Sequence, residues 1–194
     1  MKKFRVLSDL HLDINEKYPL EIQDKDVFTV ICGDTSGYPD MTIEWIKNNC
    51  PNGVGVSGNH LPYNYQNKTI QQLRLELANE FPINTSFTYL DCETGVFGKE
   101  VDDIIFIGTC MYTNMAISHP TWNPTGNIEF NKRCSLYHMN DYRWGIKSLE
   151  PTINIRPDDY YEWFKKAYEK IEYALNEVEA NSVFYKFLGS YPTV

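Results

Sequence analysis

Three runs of apolar and β-branched residues in the first third of the chain have the pattern of strands buried in a sheet. The clearest is Val27–Asp34, where six such residues stand in a row before a glycine and a carboxylate. A run of this kind indicates a strand covered on both faces. The other two are Phe4–Ser8 and Val54–Ser57, and polar residues follow each of them. Because parallel strands end at the same edge of a sheet, the side chains that follow the three runs are predicted to meet where open α/β sheets bind ligands.

Periodic apolar positions predict helices between and after these strands. Met41–Asn49 carries apolar residues at helical spacing and ends before a Cys-Pro pair. A second helix is predicted to begin at Thr69 and to end before Pro82. The clearest helix is Asp158–Glu179, because a proline precedes it, acids fill its first turn and an apolar stripe runs along it. Helices that cross over between strands are what a parallel sheet requires.

Shorter runs predict further strands at Phe87–Leu90, Gly95–Phe97, Ile104–Ile107 and Val183–Phe187. Between the last two, Thr109–Arg156 shows little periodicity, so we predict a long loop region of the kind that is often functional. The expected fold is α/β, a layered sheet flanked by helices. At 194 residues the chain fits a single domain spanning residues 1–194.

Composition and charge narrow the classes of function. The formal net charge of −8 argues against a surface that holds nucleic acid without acting on it. An anionic substrate remains possible where a bound metal ion reverses the local charge. The five cysteines are scattered and include no Cys-x-x-Cys pair, which is typical of reduced thiols in a cytoplasmic protein. No apolar run has the length of a signal peptide or a membrane span, so we expect no membrane attachment.

The side chains that follow the first three strands are of types that bind metals. Asp9 and His11 are two positions apart, so in an extended backbone they point to the same side and one cation can contact both. Asp34 follows the second strand, and Asn59 and His60 follow the third. Oxygen and nitrogen ligands of this mixture suit Mn, Fe or Zn. The alternatives are that the aspartates cap turns or helix starts and that His60 is an ordinary loop residue.

Taken in order, three motifs resemble those of the calcineurin-like metallophosphoesterases: Asp9-x-His11, Gly33-Asp34 and Gly58-Asn59-His60. The resemblance covers the N-terminal half, and a later segment is similar to family members with a loop insertion, Met139–Arg143. It implies a phosphatase or phosphodiesterase that acts on a phosphorylated small molecule or another phosphoester. Members of the family use two metal ions about 4 Å apart, which bind the phosphate and ready a hydroxide for in-line attack.

The resemblance also implies a role for each motif residue. Asp9 and His11 would hold the first metal ion, Asp34 would bridge both ions, and Asn59 would give its amide oxygen to the second. His60 would be the catalytic residue that protonates the leaving oxygen, a role suited to a side chain type that titrates near neutral pH. Asn59 and His60 would also contact the substrate phosphate.

Two departures from the family pattern change these expectations. The family usually has an acidic residue after Gly-Asn-His that orients the histidine, but Leu61 stands there, so we expect His60 to be unoriented and a poorer acid. The family's second half also supplies a lone histidine and a Gly-His-x-His motif, which this sequence lacks. The remaining histidines, His119 and His138, are expected to be ordinary loop residues.

The missing ligands leave a second function open. The first metal ion keeps three protein ligands, which suffice for an open site, whereas the second keeps only a shared carboxylate and a neutral amide. We therefore expect one ion or none, in a chain truncated or divergent after about residue 181 and lacking the family's last strands. The alternative is a catalytically inactive or impaired remnant that binds a metal ion or a partner. An exposed sheet edge in such a remnant would favour pairing with a second copy as a homodimer.

Overall fold

The computed structural model describes residues 3–14, 21–64, 67–94, 96, 98–110, 112, 114–116, 118, 120–121, 123–143, 146–147, 150, 152–179 and 185–190. The strands in these ranges are β1 Arg5–Leu7, β2 Thr29–Cys32, β3 Gly53–Val56, β4 Phe87–Tyr89, β5 Gly98–Val101, β6 Ile104–Cys110 and β7 Tyr185–Ser190. The helices are α1 Pro39–Asn49, α2 Ile70–Glu80, α3 Ile128–His138, α4 Asn140–Arg143 and α5 Pro157–Glu179.

The first four strands form a parallel sheet in chain order, β1-β2-β3-β4. The register places Leu7 opposite Ile31 and Cys32 opposite Val56, so the first three strands end close together at the carboxyl edge. The helices α1 and α2 supply the crossovers between β2, β3 and β4 that parallel pairing requires. The prediction of an α/β fold with a parallel sheet is therefore confirmed.

Both faces of the parallel sheet are buried at β2 and β3, as predicted for the second strand. One face packs against α1 and α2 through a cluster that includes Ile31, Ile46 and Leu77. The other face packs against β6 through a cluster that includes Val54 and Phe106. The sheet is consequently a central layer packed between other elements, and the loops at its carboxyl edge start from this layer.

A second sheet has the order β5-β6-β7, with β5 antiparallel and β7 parallel to β6. Alternation along β6 turns Phe106 toward the first sheet and Ile107 toward α5, where it packs with Ile171. The layers are therefore α1 with α2, the parallel sheet, the mixed sheet and α5. No helix in the described ranges, α5 included, combines the length and apolar character needed to cross a membrane.

Two of the predicted strands include residues outside the described ranges. In the strand predicted at Gly95–Phe97, residues 95 and 97 lie outside the described residues, Val96 makes an isolated bridge with Asp91, and β5 begins at Gly98. The strand predicted at Val183–Phe187 overlaps β7, and residues 183 and 184 lie outside the described residues.

The prediction of a long loop region is wrong where α3 and α4 form. The helix α3 begins after Asn127, whose side chain accepts a hydrogen bond from the Phe130 N–H. Its buried residue is Asn131, whose amide donates to the Met115 carbonyl at 2.8 Å and accepts from Asn123 at 2.7 Å. A helix that packs through a polar side chain has no apolar stripe, and periodicity could not reveal it.

Candidate metal centre

The loops that follow β1 and β2 run side by side and are joined by backbone hydrogen bonds. The N–H of Asp9 donates to the Gly33 carbonyl at 3.3 Å, and the N–H of His11 donates to the Asp34 carbonyl at 3.0 Å. Asp9, His11 and Asp34 all adopt a left-handed backbone, with φ of 53°, 43° and 46°. The prediction that Asp9 and His11 lie on an extended segment is therefore wrong, because the paired loops impose a different conformation after the end of β1.

The side chains of Asp9, His11 and Asp34 converge nevertheless. Each offers one ligand atom, and the three atoms lie within 4.8 Å of one another. Asp34 is buried, whereas the side chains of His11 and Asp9 are 30% and 48% exposed, so the cluster opens to solvent on the Asp9 side. These three side chains are called the metal cluster below.

The metal cluster fits a divalent cation. The Nδ1 atom of His11 is buried and has no hydrogen-bond partner among the described residues, and buried polar atoms in that state usually have a ligand or water as partner. Two carboxylates and one imidazole are also a donor set that binds Mn, Fe or Zn. The prediction that one cation can contact all three side chains is consistent with this geometry.

Asp34 is fixed from the other side by the loop after β3. The His60 backbone N–H donates to Asp34 Oδ1 at 2.9 Å. A Cβ atom on Gly58 would lie 2.5 Å from the Asp34 backbone nitrogen and would overlap the carboxylate, so the loop approaches this closely only because residue 58 is glycine. Burial raises the pKa of Asp34, and the hydrogen bond from His60 opposes that rise. A cation beside the carboxylate would favour its ionised form further.

The imidazole of His60 lies next to the metal cluster and has a carboxylate partner. Its ring contacts the His11 ring edge-on, with the ring centroids 4.6 Å apart. Its Nε2 atom is 3.1 Å from Asp13 Oδ2. The expectation that His60 is unoriented is therefore wrong: Leu61 is buried in the core, and the carboxylate comes from the loop after β1. Burial alone raises the pKa of Asp13, but the Gly37 backbone and the nearby His60 outweigh it, and the pKa of Asp13 is lowered.

Asn59 is held by a buried carboxylate, Asp141 of α4. Asp141 accepts hydrogen bonds from Asn59 Nδ2 at 3.3 Å, from the Tyr160 hydroxyl at 2.8 Å and from the Tyr63 hydroxyl. Because the amide nitrogen of Asn59 faces Asp141, its amide oxygen is the atom that remains to act as a ligand. Burial, with the Asp141 charge adding to it, raises the pKa of Tyr63 and Tyr160, so both hydroxyls stay protonated as donors.

Of the other two histidines, only His138 lies among the described residues. The expectation that His138 is a loop residue is wrong, because it is the last residue of α3, where it is exposed. His119 lies outside the described residues. The metal cluster is therefore built from the loops after β1 and β2, with the loop after β3 packed against it.

Sequence reasoning missed two carboxylates at this site. Asp13 continues the alternation Asp9-x-His11-x-Asp13, and this spacing is the one feature of the sequence that places its side chain near the other two. Asp141 stands in the Met139–Arg143 segment, which was singled out only for its similarity. Neither contact has a local signal, because Asp13 and Asp141 act on residues far away along the chain.

Comparisons with known proteins assign the chain to no family. No protein-family model matches the chain, and no curated protein and no solved structure matches it.

Proposed function

We propose that this chain is a metal-dependent phosphoester hydrolase of the calcineurin-like kind, with Asp9, His11 and Asp34 as metal ligands. The observation that supports it best is the convergence of three ligand atoms within 4.8 Å at the carboxyl edge of a parallel sheet. A second imidazole, His60, contacts this cluster and supplies an acid-base group. The α/β fold with a parallel sheet belongs to the general class of fold that the resemblance implies.

Each residue has a definite part in this proposal. The bound cation would lower the pKa of a water molecule and polarise a phosphoryl oxygen. Asp9 and Asp34 offset the cation's charge, and the exposed Asp9 side of the cluster leaves room for a phosphoester. Asn59 presents its amide oxygen because Asp141 holds the amide nitrogen. His60 gives a proton to the leaving oxygen.

The test is hydrolysis of a phosphodiester and a phosphomonoester by protein stripped of metal and then supplied with Mn²⁺. The substrates are bis(p-nitrophenyl) phosphate and p-nitrophenyl phosphate, and the variant is Asp34→Asn. We expect Mn²⁺ to restore turnover in the wild type, and the variant to lose at least about 100-fold, since even groups that only support a metal ligand contribute 10–100-fold.

Asp103→Asn is the matched control. Asp103 is another aspartate with a left-handed backbone, φ 64°, but it lies on an exposed turn. This variant should keep wild-type activity. A hydrolysis rate that responds neither to added Mn²⁺ nor to the Asp34 substitution would refute the proposal.

A second function, a single-ion or partner-binding module with little turnover, is favoured by one observation. In the described ranges, the metal cluster is the single group of three or more His, Cys, Asp or Glu side chains that could hold an ion. Among the described residues, a second ion would have only Asp34 and the neutral Asn59 amide as ligands. Elemental analysis that finds one ion per chain, together with no turnover of either substrate, would favour this function.

The same module could pair through its sheet edge. The strand β1 is an outer strand of the parallel sheet, and Val6 on it is 63% exposed. A homodimer formed through this edge would appear in sedimentation equilibrium as a concentration-dependent mass.

A further inference from the structure

His60 and Asp13 form a buried pair beside the metal cluster. The two side chains are 12% and 6% exposed, and His60 Nε2 lies 3.1 Å from Asp13 Oδ2. A buried carboxylate is costly unless a partner satisfies it. The other carboxylate oxygen of Asp13, Oδ1, is buried with no hydrogen-bond partner among the described residues, so the position is not optimised for stability alone.

Three separate loops hold Asp13 in place. It belongs to the loop after β1, and its Oδ2 also accepts a hydrogen bond from Asn64 Nδ2 at 3.1 Å, in the loop after β3. The backbone of Gly37, in the loop after β2, lies beside the same side chain and lowers its pKa. A Cβ atom on Gly37 would lie 2.5 Å from Asn64 Nδ2 and 3.0 Å from Asp13 Oδ2, so a larger residue would push the Asn64 side chain away from Asp13. The carboxylate is therefore fixed before any substrate arrives.

We propose that Asp13 is the positioning residue that fixes the ring orientation and tautomer of His60, an inference that rests on the proposed phosphoester hydrolase function. When a carboxylate accepts a hydrogen bond from the Nε2–H of a histidine, the neutral ring carries its proton on Nε2. Nδ1 is then the nitrogen that can take up a second proton and that remains to exchange it with the substrate. In the family, the acidic residue stands directly after the histidine. Here Asp13 takes that role from the loop after β1, 47 positions before His60.

The chemical step that this pair serves is departure of the alcohol. The oxygen of a water molecule forms a new bond to phosphorus, and the bond from phosphorus to the leaving oxygen breaks with its electron pair. The leaving oxygen takes the proton from His60, and the attacking water gives up a proton that restores the imidazole. The products are an alcohol and a phosphate with one ester bond fewer. Protonation matters most when the leaving oxygen is strongly basic.

The experiment compares two diesters that differ in their leaving group. Bis(p-nitrophenyl) phosphate releases nitrophenolate, which departs without a proton, whereas diphenyl phosphate releases the more basic phenolate. Asp13→Asn keeps the shape of the side chain and removes its charge, and Asp13→Ala removes the contact. We expect kcat for diphenyl phosphate to fall about 100-fold, the lower range of a general acid's contribution. The nitrophenyl diester should lose less than about threefold, with KM nearly constant for both.

A spectroscopic measurement separates positioning from a merely structural role. Two-bond ¹H–¹⁵N correlation spectra of the four histidines report the tautomer of each ring, and His60→Gln identifies the His60 signal. The wild type should show His60 protonated at Nε2, and Asp13→Asn should shift it to a mixture of tautomers. Asp103→Asn, with its exposed carboxylate, should match the wild type in both assays. Circular dichroism and metal content confirm that each variant is folded and loaded.

The outcomes are distinct. Equal losses on both diesters in Asp13→Asn, or an unchanged His60 tautomer, would overturn the role of Asp13. If the wild type hydrolyses neither diester, the proposed hydrolase function fails, and the tautomer still decides whether Asp13 orients the ring. A leaving-group-dependent loss with a changed tautomer supports the role.

Discussion

Substituting Gly58 by alanine should displace Asp34 and weaken metal binding without any change in a ligand. The added Cβ would lie 2.5 Å from the Asp34 backbone nitrogen, whereas real Cβ contacts stay beyond 3.0 Å. The loop must therefore retreat by about half an ångström, and the overlapped carboxylate must turn away. Since the donor atoms of the metal cluster lie within 4.8 Å of one another, a carboxylate that turns away leaves the cluster incomplete.

The magnitude follows from the link between binding and stability. With free Mn²⁺ at one hundred times Kd, binding stabilises the native state by about 2.7 kcal/mol. In a domain of this size that raises Tm by roughly 5–10 °C. A tenfold loss of affinity removes about 1.4 kcal/mol. Gly58→Ala should therefore show half the wild-type shift or less at the same Mn²⁺ concentration, when each shift is measured from that variant's own metal-free Tm.

Gly98→Ala is the matched control, because a Cβ there meets only the Phe106 carbonyl at 3.8 Å, an ordinary contact. Isothermal titration calorimetry should give this control the wild-type Kd and Gly58→Ala a Kd at least about tenfold higher. If both variants bind Mn²⁺ like the wild type, Asp34 is not a ligand and the metal cluster has been misidentified.

Two further predictions concern stability. Arg74→Met should lower the free energy of unfolding in urea by about 3 kcal/mol, because it leaves the fully buried Asp91 without the guanidinium 3.4 Å away. This value is the low end of the range for broken buried ion pairs, since the atoms of this pair lack hydrogen-bond geometry. Adding Asp91→Asn should recover more than half of that loss, and a double variant as unstable as Arg74→Met alone would contradict the reasoning. Lys132→Ala should cost less than about 1 kcal/mol by removing the pair with Asp158 at 2.6 Å, an effect that salt weakens. The Asp158 hydrogen bond raises the pKa of Lys132, so this stabilisation is present at neutral pH and should vanish as the pH rises through that pKa. A stability difference between the variant and the wild type that persists above that pKa would contradict this prediction.

The convergence of the first three strand ends could be predicted because it depends on few assumptions. Apolar runs separated by crossover helices pair in parallel, and parallel strands deliver their following residues to one edge. The structure places β1, β2 and β3 side by side, so Asp9, His11 and Asp34 meet. The phosphoester chemistry remains a proposal, since a metal cluster by itself does not determine a substrate.

The partners of these residues could not be predicted, because they are set by contacts between distant loops. Leu61 next to His60 suggested an unoriented ring, yet the core takes Leu61 and the loop after β1 supplies Asp13. In the same way, Asp141 reaches Asn59 from a helix whose existence the periodicity did not indicate. A sequence pattern predicts which side chains an element presents, whereas the identity of the group opposite depends on how the loops pack.

Left-handed backbone conformations show why geometry is needed to recognise the site. Asp102 and Asp103 also have positive φ, 53° and 64°, but they form the two-residue connection between β5 and β6, a turn that requires positive φ at both positions. Asp9, His11 and Asp34 lie in no such hairpin, and conformations of this kind cost about 1–3 kcal/mol each unless the surroundings impose them. Here the paired loops impose them, and the result is that three ligand-type side chains face one point. It is this convergence, and not the unusual backbone alone, that separates a candidate metal centre from an ordinary acidic turn.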